Sequence, residues 1–451
     1  MKPDPQLAQL GLFDARVPRY TSYPTAPQFS AATGADDFTR WVNDLPEGGE
    51  ISLYLHVPFC RRLCWFCACR TQGTSTLAPV ASYVETLKHE LSLLARQLPA
   101  GMRLSRLHWG GGTPTLLDPG LIETLAQAVF AVLPLAPGAE FSVEIDPAEI
   151  DAARLAALAR AGMTRASIGI QDFDPEIQAV IGREQSYDLT RDAVEAIRAH
   201  GIKSLNADIL FGLPHQSPAR MVDSVQKLLS LSPDRVALYG YAHVPWMARR
   251  QTMIPTDALP HPEERFALFE AARELFVWDG YREIGIDHFA KPEDGLARAA
   301  SEGRLRRNFQ GYTDDRSAVL IGLGASAISR FPQGYAQNAS ATSTYTQAIR
   351  DGHFATARGH KLSQDDRLRG RMIEALMCDF FIDTAEMVEE FGTDSLSLRR
   401  LYRAAEEAFP GMVEVTGAGL SIPVRARPLT RMIARVFDAY DLAKAGHSPA
   451  M

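Results

Sequence analysis

Short runs rich in apolar and β-branched residues alternate with helical patterns between residues 51 and 287, and this alternation limits the possible folds. Strands separated by helices predict a parallel sheet, so the chain is an α/β protein with a partial or complete parallel (β/α) barrel. In such barrels the loops after the strands carry the chemistry. The runs predicted as strands are ISLYLHV (51–57), LSRLHW (104–109), FSVEID (141–146), RASIGI (165–170), LNADILF (205–211), RVALYGY (235–241) and YREIGID (281–287).

The segments on either side of this alternation differ from it in pattern. Residues 1–35 contain five prolines and little periodicity, which predicts an extended N-terminal arm over the active site rather than a packed element. The barrel domain is predicted over residues 36–345. Beyond it, amphipathic patterns such as QDDRLRGRMIEALMCDF predict a mainly helical C-terminal domain over residues 346–451.

Charge and hydropathy exclude several classes of protein. A formal net charge of −7 gives no basic surface of the kind that nucleic acids need. The first residues do not resemble a secretion signal, and no stretch approaches the ~20 apolar residues that span a bilayer. We expect a cytoplasmic monomer with neither nucleic acid nor a membrane among its partners.

Four of the five cysteines lie within ten residues, in the segment CRRLCWFCAC that follows the first predicted strand. Cys60, Cys64 and Cys67 form a C-x3-C-x2-C pattern. Three thiolates on a [4Fe–4S] cubane leave one iron open, and that iron can chelate the amino and carboxylate groups of S-adenosylmethionine (SAM). Zinc is the alternative, but structural zinc sites usually have a second cysteine or histidine pair. The spacing predicts a catalytic cluster.

Two neighbours of these cysteines are candidates for other roles. Ligation by Cys69 would close the open iron, so we expect Cys69 not to bind the cluster. Three roles are compatible with His56: a ligand, a proton donor near the substrate, or a polar residue at a strand end.

Polar residues and glycines follow the later strands. Gly110, Gly111 and Gly112 let the backbone approach a ligand closely after the second strand. At the end of the third strand, Glu144 is placed to accept hydrogen bonds from ribose hydroxyls, whereas Asp146 is the better candidate for a helix cap. Further candidates are Gln171, Arg183 and Asp208. An arginine fork suits a carboxylate such as that of SAM, which makes Arg183 the strongest of the three.

The loop formed by Cys60, Cys64, Phe66 and Cys67 resembles the cluster loop of the radical SAM superfamily. Together with other segments, it makes the chain resemble the oxygen-independent coproporphyrinogen III oxidases. The segments that carry this resemblance are RYTSYPTAPQFS (19–30), SLYLHVPFCRRLCWFCACR (52–70), LHWGGGTPT (107–115), SVEIDP (142–147), SIGIQDFD (167–174), NADILFGLPHQ (206–216) and YGYAHVPW (239–246).

The resemblance implies that a 5′-deoxyadenosyl radical initiates the oxidative decarboxylation of two propionates of coproporphyrinogen III to vinyl groups. The product is protoporphyrinogen IX. An electron donor of the flavodoxin or ferredoxin type and an external electron acceptor are then required. The resemblance also implies His56, Cys69 and Tyr54 as catalytic residues, and two SAM molecules. The first SAM is assigned to Tyr54, Gly111 and Glu144, and the second to Phe66, Cys67, Ala68, Gly112, Thr113, Gln171, Arg183, Asp208, Ala242 and Ile328.

The substrate of such an oxidase has four carboxylates, so basic residues are needed near the barrel mouth. The candidates are Arg19, Arg61, Arg62 and the run RLRR at 304–307. Tyr20 and Tyr23 either close over the macrocycle or anchor the arm. The alternatives to an oxidase are a haem-binding chaperone without decarboxylase activity and a radical SAM methyltransferase that acts on haem. The arm and Cys69 favour the oxidase over the chaperone.

Overall fold

Seven parallel strands form the centre of a 12-stranded sheet in this computed structural model, which describes residues 5–440 and residue 450. The strands in chain order are β1 (Glu50–Val57), β2 (Phe59–Cys60), β3 (Gln72–Gly73), β4 (Arg103–Gly111), β5 (Leu135–Ile145), β6 (Arg165–Gln171), β7 (Ser204–Phe211), β8 (Arg235–Gly240), β9 (Arg282–Ile284), β10 (His288–Ala290), β11 (Arg306–Asn308), β12 (Gly311–Thr313), β13 (Leu320–Leu323), β14 (Ile328–Phe331), β15 (Gly334–Asn338), β16 (Thr356–Lys361), β17 (Phe381–Asp383), β18 (Glu414–Val415) and β19 (Gly419–Ser421).

The order of the strands is β16-β15-β14-β13-β1-β4-β5-β6-β7-β8-β10-β9, with antiparallel strands at both ends. Within the described part of the chain, the edge strands β9 and β16 do not pair with each other. The sheet is therefore an open, partial barrel, and the predicted α/β class is confirmed.

The prediction of a parallel strand over residues 281–287 was wrong in both length and direction. Only Arg282–Ile284 of the run 281–287 is a strand, and it pairs antiparallel with β10. Gly285 ends it with φ +55°, and a side chain there would meet the Tyr312 phenol. The seventh parallel strand is instead β13, which pairs with β1.

Helices cover the outer face of the sheet and bury its apolar residues. The helices are α1 (Pro5–Gln9), α2 (Ala35–Asn43), α3 (Ala78–Ala95), α4 (Pro119–Val132), α5 (Ala152–Arg160), α6 (Pro175–Val180), α7 (Tyr187–Ala199), α8 (Pro218–Ser230), α9 (Pro262–Trp278), α10 (Gly295–Ser301), α11 (Thr342–Arg350), α12 (Gln364–Asp379), α13 (Thr384–Phe391), α14 (Ser395–Ala408) and α15 (Thr430–Val436). Side-chain caps fix several starts: Asp118 accepts from Leu121 N at 2.8 Å, and Ser363 caps α12. None of the described helices combines the length and apolar character needed to cross a membrane.

The arm packs against the C-terminal helices, so the expectation of an unpacked arm was wrong. Leu12 and Phe13 share an apolar core with residues of α12 and α15. Tyr20 donates to Asp438 at 3.0 Å, and the Tyr23 hydroxyl accepts from Ala439 N at 3.0 Å. Both tyrosines are buried and anchor the arm.

The helical C-terminal region begins near the predicted boundary at residue 345, and one strand of the large sheet lies beyond that boundary. This strand, β16, pairs antiparallel with β15. The C-terminal region also contains a small sheet of β17, β19 and β18. The division at 345 stays a prediction.

Alternate residues of the parallel strands face the barrel interior, and most of these residues are polar. On β4 they are Arg106 and His108, and on β5 they are Glu140, Ser142 and Glu144. Deeper in the barrel, Glu140 bridges Arg106 at 2.6 Å and Arg165 at 2.5 Å. The carboxyl ends of the strands lie above this charged layer and form the rim where the candidate site is built.

Candidate active site

The cysteine loop leaves the end of β1 and returns as β3, which pairs with β2. The Trp65 amide donates to Ile181 O at 2.9 Å, and the Cys67 amide donates to Cys64 O at 3.4 Å. The Trp65 indole lies on Gly182, where a Cβ would approach the ring to 2.9 Å. These contacts hold the loop across the rim of the barrel.

The thiols of Cys60, Cys64 and Cys67 are partly buried, whereas Cys69 is exposed. Burial raises the pKa of Cys60 to about 11. A hydrogen bond from the Cys69 side chain, opposed by burial, lowers the pKa of Cys67 to about 6. Among the described residues no three His, Cys, Asp or Glu side chains converge on a single metal ion. A [4Fe–4S] cubane does not require its ligands to converge on one metal ion, because each cysteine binds a different iron.

Side chains of β1, β4 and β5 form a connected polar group beside the loop. Tyr54 stacks on His108, with ring centroids 5.7 Å apart and an interplanar angle of 16°. Glu144 accepts a hydrogen bond from the Gly111 amide at 2.9 Å and lies 3.4 Å from His108 Nε2. Burial acts to raise the pKa of Glu144, but the hydrogen bonds from His108 and Gly111 outweigh it and the pKa is lowered. Glu144 is therefore an ionised acceptor at the rim.

His56 is held as a neutral imidazole in this group. Its Nε2–H donates to Arg70 O at 3.2 Å, so Nδ1 accepts from the Tyr54 hydroxyl at 2.9 Å. Burial lowers the pKa of His56. The ring lies between Tyr54 and the cysteine loop. These two hydrogen bonds place its proton on Nε2.

Gly111 and Gly112 give the rim a bare backbone surface. Gly111 has φ +111°, and a Cβ there would lie 2.4 Å from His56 Nδ1. A Cβ on Gly112 would lie 2.5 Å from Phe59 O. The next residue, Thr113, donates its amide to Phe59 O at 2.7 Å. The absence of side chains at Gly111 and Gly112 lets the end of β4 pack directly on His56 and Phe59, and we call this segment the glycine cradle.

Arg183 reaches the cysteine loop from the segment after α6. Its Nη1 lies 3.6 Å from Cys64 Sγ, its Nη2 donates to Gly169 O at 2.8 Å, and Asp146 lies 3.7 Å away. Its Nε is buried without a hydrogen-bond partner. Gln171, at the end of β6, has φ +71°, and its amide nitrogen lies near Gly169. The orphaned donor fits a carboxylate ligand beside the thiols.

The other predicted residues are spread around the rim. Asp208 lies inside β7, accepts from Asn206 at 2.9 Å and has its pKa raised to about 6 by burial. Ala242 follows β8. Ile328 begins β14, on the opposite side of β1 from β4.

The cysteine-loop residues in the predicted set differ in burial. Phe66 packs against an apolar cluster of α6, β7 and the segment after β8, and Ala68 is exposed in the loop. All of these positions stay predictions as ligand contacts.

Two residues that no sequence pattern indicated hold the cysteine loop from the segment after β8. Gln251 is 1% exposed, and its Nε2 donates to Phe66 O at 2.7 Å and to Ala242 O at 3.0 Å. Arg250 donates to Cys69 O at 3.1 Å and to the Thr71 hydroxyl at 2.9 Å. His108 was also missed. Its period-two spacing with Gly110 on one strand face was the available signal.

The basic candidates separate into two groups. Arg19 and Arg307 line one cavity beside the end of β8. Arg61 instead donates to Thr74 O at 3.3 Å, and Arg304 pairs with Glu302. The remaining candidates, Arg62 and Arg306, do not line that cavity.

Residues 54–228 match the sequence model of the Radical SAM superfamily. This range includes the cysteine loop, the glycine cradle, Glu144 and Arg183. The partial barrel and the three-cysteine loop thus define a radical SAM protein.

Relatives that span the whole chain define the particular family. The chain is 64% identical over 451 residues to an oxygen-independent coproporphyrinogen III oxidase of Paracoccus denitrificans, with 100% of both chains covered. It is 62% identical to one of Cereibacter sphaeroides, covering 96% of this chain and 97% of the relative. The solved coproporphyrinogen III oxidase of Escherichia coli, described as a radical SAM enzyme, superposes with a TM-score of 0.91 and 35% identity, covering 97% and 99%. The chain belongs to the family of oxygen-independent coproporphyrinogen III oxidases, whose cofactors are a [4Fe–4S] cluster and SAM.

Proposed function

We propose that this chain oxidatively decarboxylates two propionate side chains of coproporphyrinogen III to vinyl groups and so forms protoporphyrinogen IX without oxygen. One observation carries the proposal. A loop with three cysteines in C-x3-C-x2-C spacing lies beside a bare glycine cradle, an ionised Glu144 and the orphaned donor of Arg183. That set of groups suits a cubane with one open iron and an amino-acid ligand on it.

Cys60, Cys64 and Cys67 would hold the cluster, and Cys69 would remain free. When bound, the cluster and SAM would supply a 5′-deoxyadenosyl radical for removal of a hydrogen atom from the β-carbon of each propionate, with loss of CO₂ and one electron for each vinyl group formed. The electron goes to an external acceptor. The protein therefore has to bind SAM, orient the propionate and exclude water.

The residues of the rim fit these tasks. We assign the first SAM to Tyr54, Gly111 and Glu144, where the Glu144 carboxylate would accept from ribose hydroxyls. His56 fixes the Tyr54 hydroxyl and keeps a proton on Nε2. We assign Cys69 to a position beside SAM or substrate, since it is the most exposed of the four cysteine residues of the loop.

A second SAM molecule would lie on the side of the loop that faces β6, β7 and β8. There the Nε of Arg183 is a buried donor without a hydrogen-bond partner among the described residues, and we assign Gln171, Asp208 and Ala242 to the same ligand. We also assign Phe66 and Ala68 of the cysteine loop, and Gly112 and Thr113 after β4, to this second SAM. Ile328 is the one member of the set on the far side of β1.

For partners, we propose a reduced flavodoxin or ferredoxin as electron donor to a monomeric enzyme in the cytoplasm. The donor is needed because each of the two decarboxylations consumes one electron at the cluster. We propose neither nucleic acid nor a membrane as a partner.

Anaerobic turnover tests the function. The cluster is reconstituted, SAM, reductant and coproporphyrinogen III are added, and 5′-deoxyadenosine and protoporphyrinogen are measured together. We expect both products. Haem binding without either product would instead support the chaperone, and methyl transfer from SAM would support the methyltransferase.

Cysteine substitutions test the ligand assignment separately. Cys60→Ala, Cys64→Ala and Cys67→Ala should each abolish the brown absorbance of the cluster, whereas Cys69→Ala should retain it. Cys378→Ala is the matched control, because Cys378 is a buried thiol of the apolar core. Loss of the absorbance in Cys69→Ala alone would overturn the assignment.

A further inference from the structure

A cavity next to the barrel rim collects arginines from four separate parts of the chain. Including the part open to solvent, it measures about 730 Å³. Phe211, Phe266 and Phe269 supply apolar wall. The arginines that line the cavity are Arg19, Arg265, Arg307, Arg427 and Arg431. The arm, α9, β11 and the C-terminal region thus build one pocket together.

Several guanidinium nitrogens of these arginines lack hydrogen-bond partners. Within the described residues, Arg265 Nε and both Nε and Nη1 of Arg307 are buried without a hydrogen bond, and so is Arg427 Nε. Arg265 is 7% exposed and Arg307 is 8% exposed. A buried donor without an acceptor is costly, and a carboxylate is the acceptor that matches an arginine fork best. Arg265 thus keeps one donor, and Arg307 keeps two, without a hydrogen-bond acceptor.

The charge of the cavity is strongly one-sided. Asp287 is the single acidic residue among the described residues that line it, and it lies 3.8 Å from Arg307 Nη1. Glu283, outside the lining, lies 3.8 Å from Arg427. Burial, followed by repulsion from Arg19, lowers the pKa of Arg265 to about 10 and that of Arg431 to about 9. Mutual repulsion among buried cations is relieved when an anion enters.

The cavity also adjoins the catalytic rim. Arg19 Nη2 donates to Gly240 O at 2.6 Å, and Arg265 Nη2 donates to Tyr241 O at 2.9 Å. The next residue, Ala242, is tied through Gln251 to Phe66 of the cysteine loop. A ligand that extends from the cysteine loop along the end of β8 would therefore have its distal end next to Arg19 and Arg265.

We propose that this cavity anchors the propionate carboxylates that the reaction leaves intact, with Arg265 and Arg307 as the principal donors. The inference rests on the proposed function, since that function supplies a substrate with four carboxylates. Anchoring by unreacted propionates holds the macrocycle while another propionate faces the radical. Arg265 and Arg307 are positioning residues, because they touch substrate carboxylates far from the reacting carbon.

Binding of coproporphyrin III, the stable oxidised form of the substrate, tests the anchor without turnover. Fluorescence titration compares the full-length chain with Arg265→Gln and Arg307→Gln, and the matched control is Arg350→Gln at the exposed end of α11. Loss of one charge-assisted bond should weaken binding about 10- to 100-fold, and the control should bind like wild type. The tetramethyl ester should bind weakly to all four proteins. Wild-type affinity in both cavity variants would overturn the proposal.

Two further measurements separate anchoring from folding and from the proposed function. In turnover, both variants should raise KM with little change in kcat, and their cluster absorbance should equal that of wild type. If a variant fails to fold, hydrogen exchange on wild type decides. Protection of residues 262–269 and 306–308 by coproporphyrin III, but not by its ester, supports the anchor, and protection confined elsewhere refutes it. A wild-type enzyme without turnover overturns the function instead.

Discussion

Gln251 is the residue whose removal should most directly loosen the cysteine loop. Its buried side chain makes three hydrogen bonds: it donates to Phe66 O and Ala242 O and accepts from Val244 N at 2.6 Å. Gln251→Ala leaves these three backbone groups without partners. At about 1–3 kcal/mol for each unsatisfied group, and with water recovering part of the loss, the loop should be destabilised by about 3 kcal/mol.

A loss of about 3 kcal/mol raises the population of the open loop about 100-fold, since 1.4 kcal/mol is a factor of ten. The assay is anaerobic release of iron from the reconstituted enzyme to a chelator, together with hydrogen exchange of residues 60–70. Release should accelerate by about the same factor if it proceeds through the open loop. Gln347→Ala is the control, because Gln347 makes one exposed hydrogen bond to Asp351. Release within twofold of wild type in Gln251→Ala would refute the reasoning.

Two other substitutions test the interior of the fold. Burial raises the pKa of Glu90 to about 7 from a usual 4.5, so the folded carboxyl binds its proton more tightly than the unfolded one, and stability is lost as pH rises between these values. Between pH 4.5 and pH 7, the unfolding free energy of wild type, measured by urea titration, should fall by about 3 kcal/mol relative to that of Glu90→Gln. If the unfolding free energies of the two proteins change in parallel with pH, the prediction is wrong. Gly112→Ala places a Cβ 2.5 Å from Phe59 O and should cost about 1–3 kcal/mol and weaken SAM binding. Gly120→Ala, where the nearest contact is 3.5 Å, should change the melting temperature little; equal effects of the two would show that the cradle is not tight.

The sheet shows which parts of the fold are readable from local pattern. Six of the predicted strands are strands, because each is a short run with several apolar residues that lies between helical patterns. The run Leu320–Leu323 has only four residues, and its place beside β1 depends on pairing that no local pattern encodes. The run 281–287 was over-extended because Gly285 breaks it, with a conformation fixed by the Tyr312 phenol packed against it.

The sequence by itself determined the chemistry of the cysteine loop, because the covalent chain sets the spacing of Cys60, Cys64 and Cys67. This spacing does not depend on how the rest of the protein packs. Only the tertiary structure decided which distant groups meet that loop. Gln251 reaches Phe66 across 185 residues, and Arg19 reaches Gly240 across 221. Such contacts are set by the order of strands and the docking of the arm on the C-terminal helices. The sequence does not show which distant group a polar side chain contacts. Its role depends on the partner against which the fold buries it.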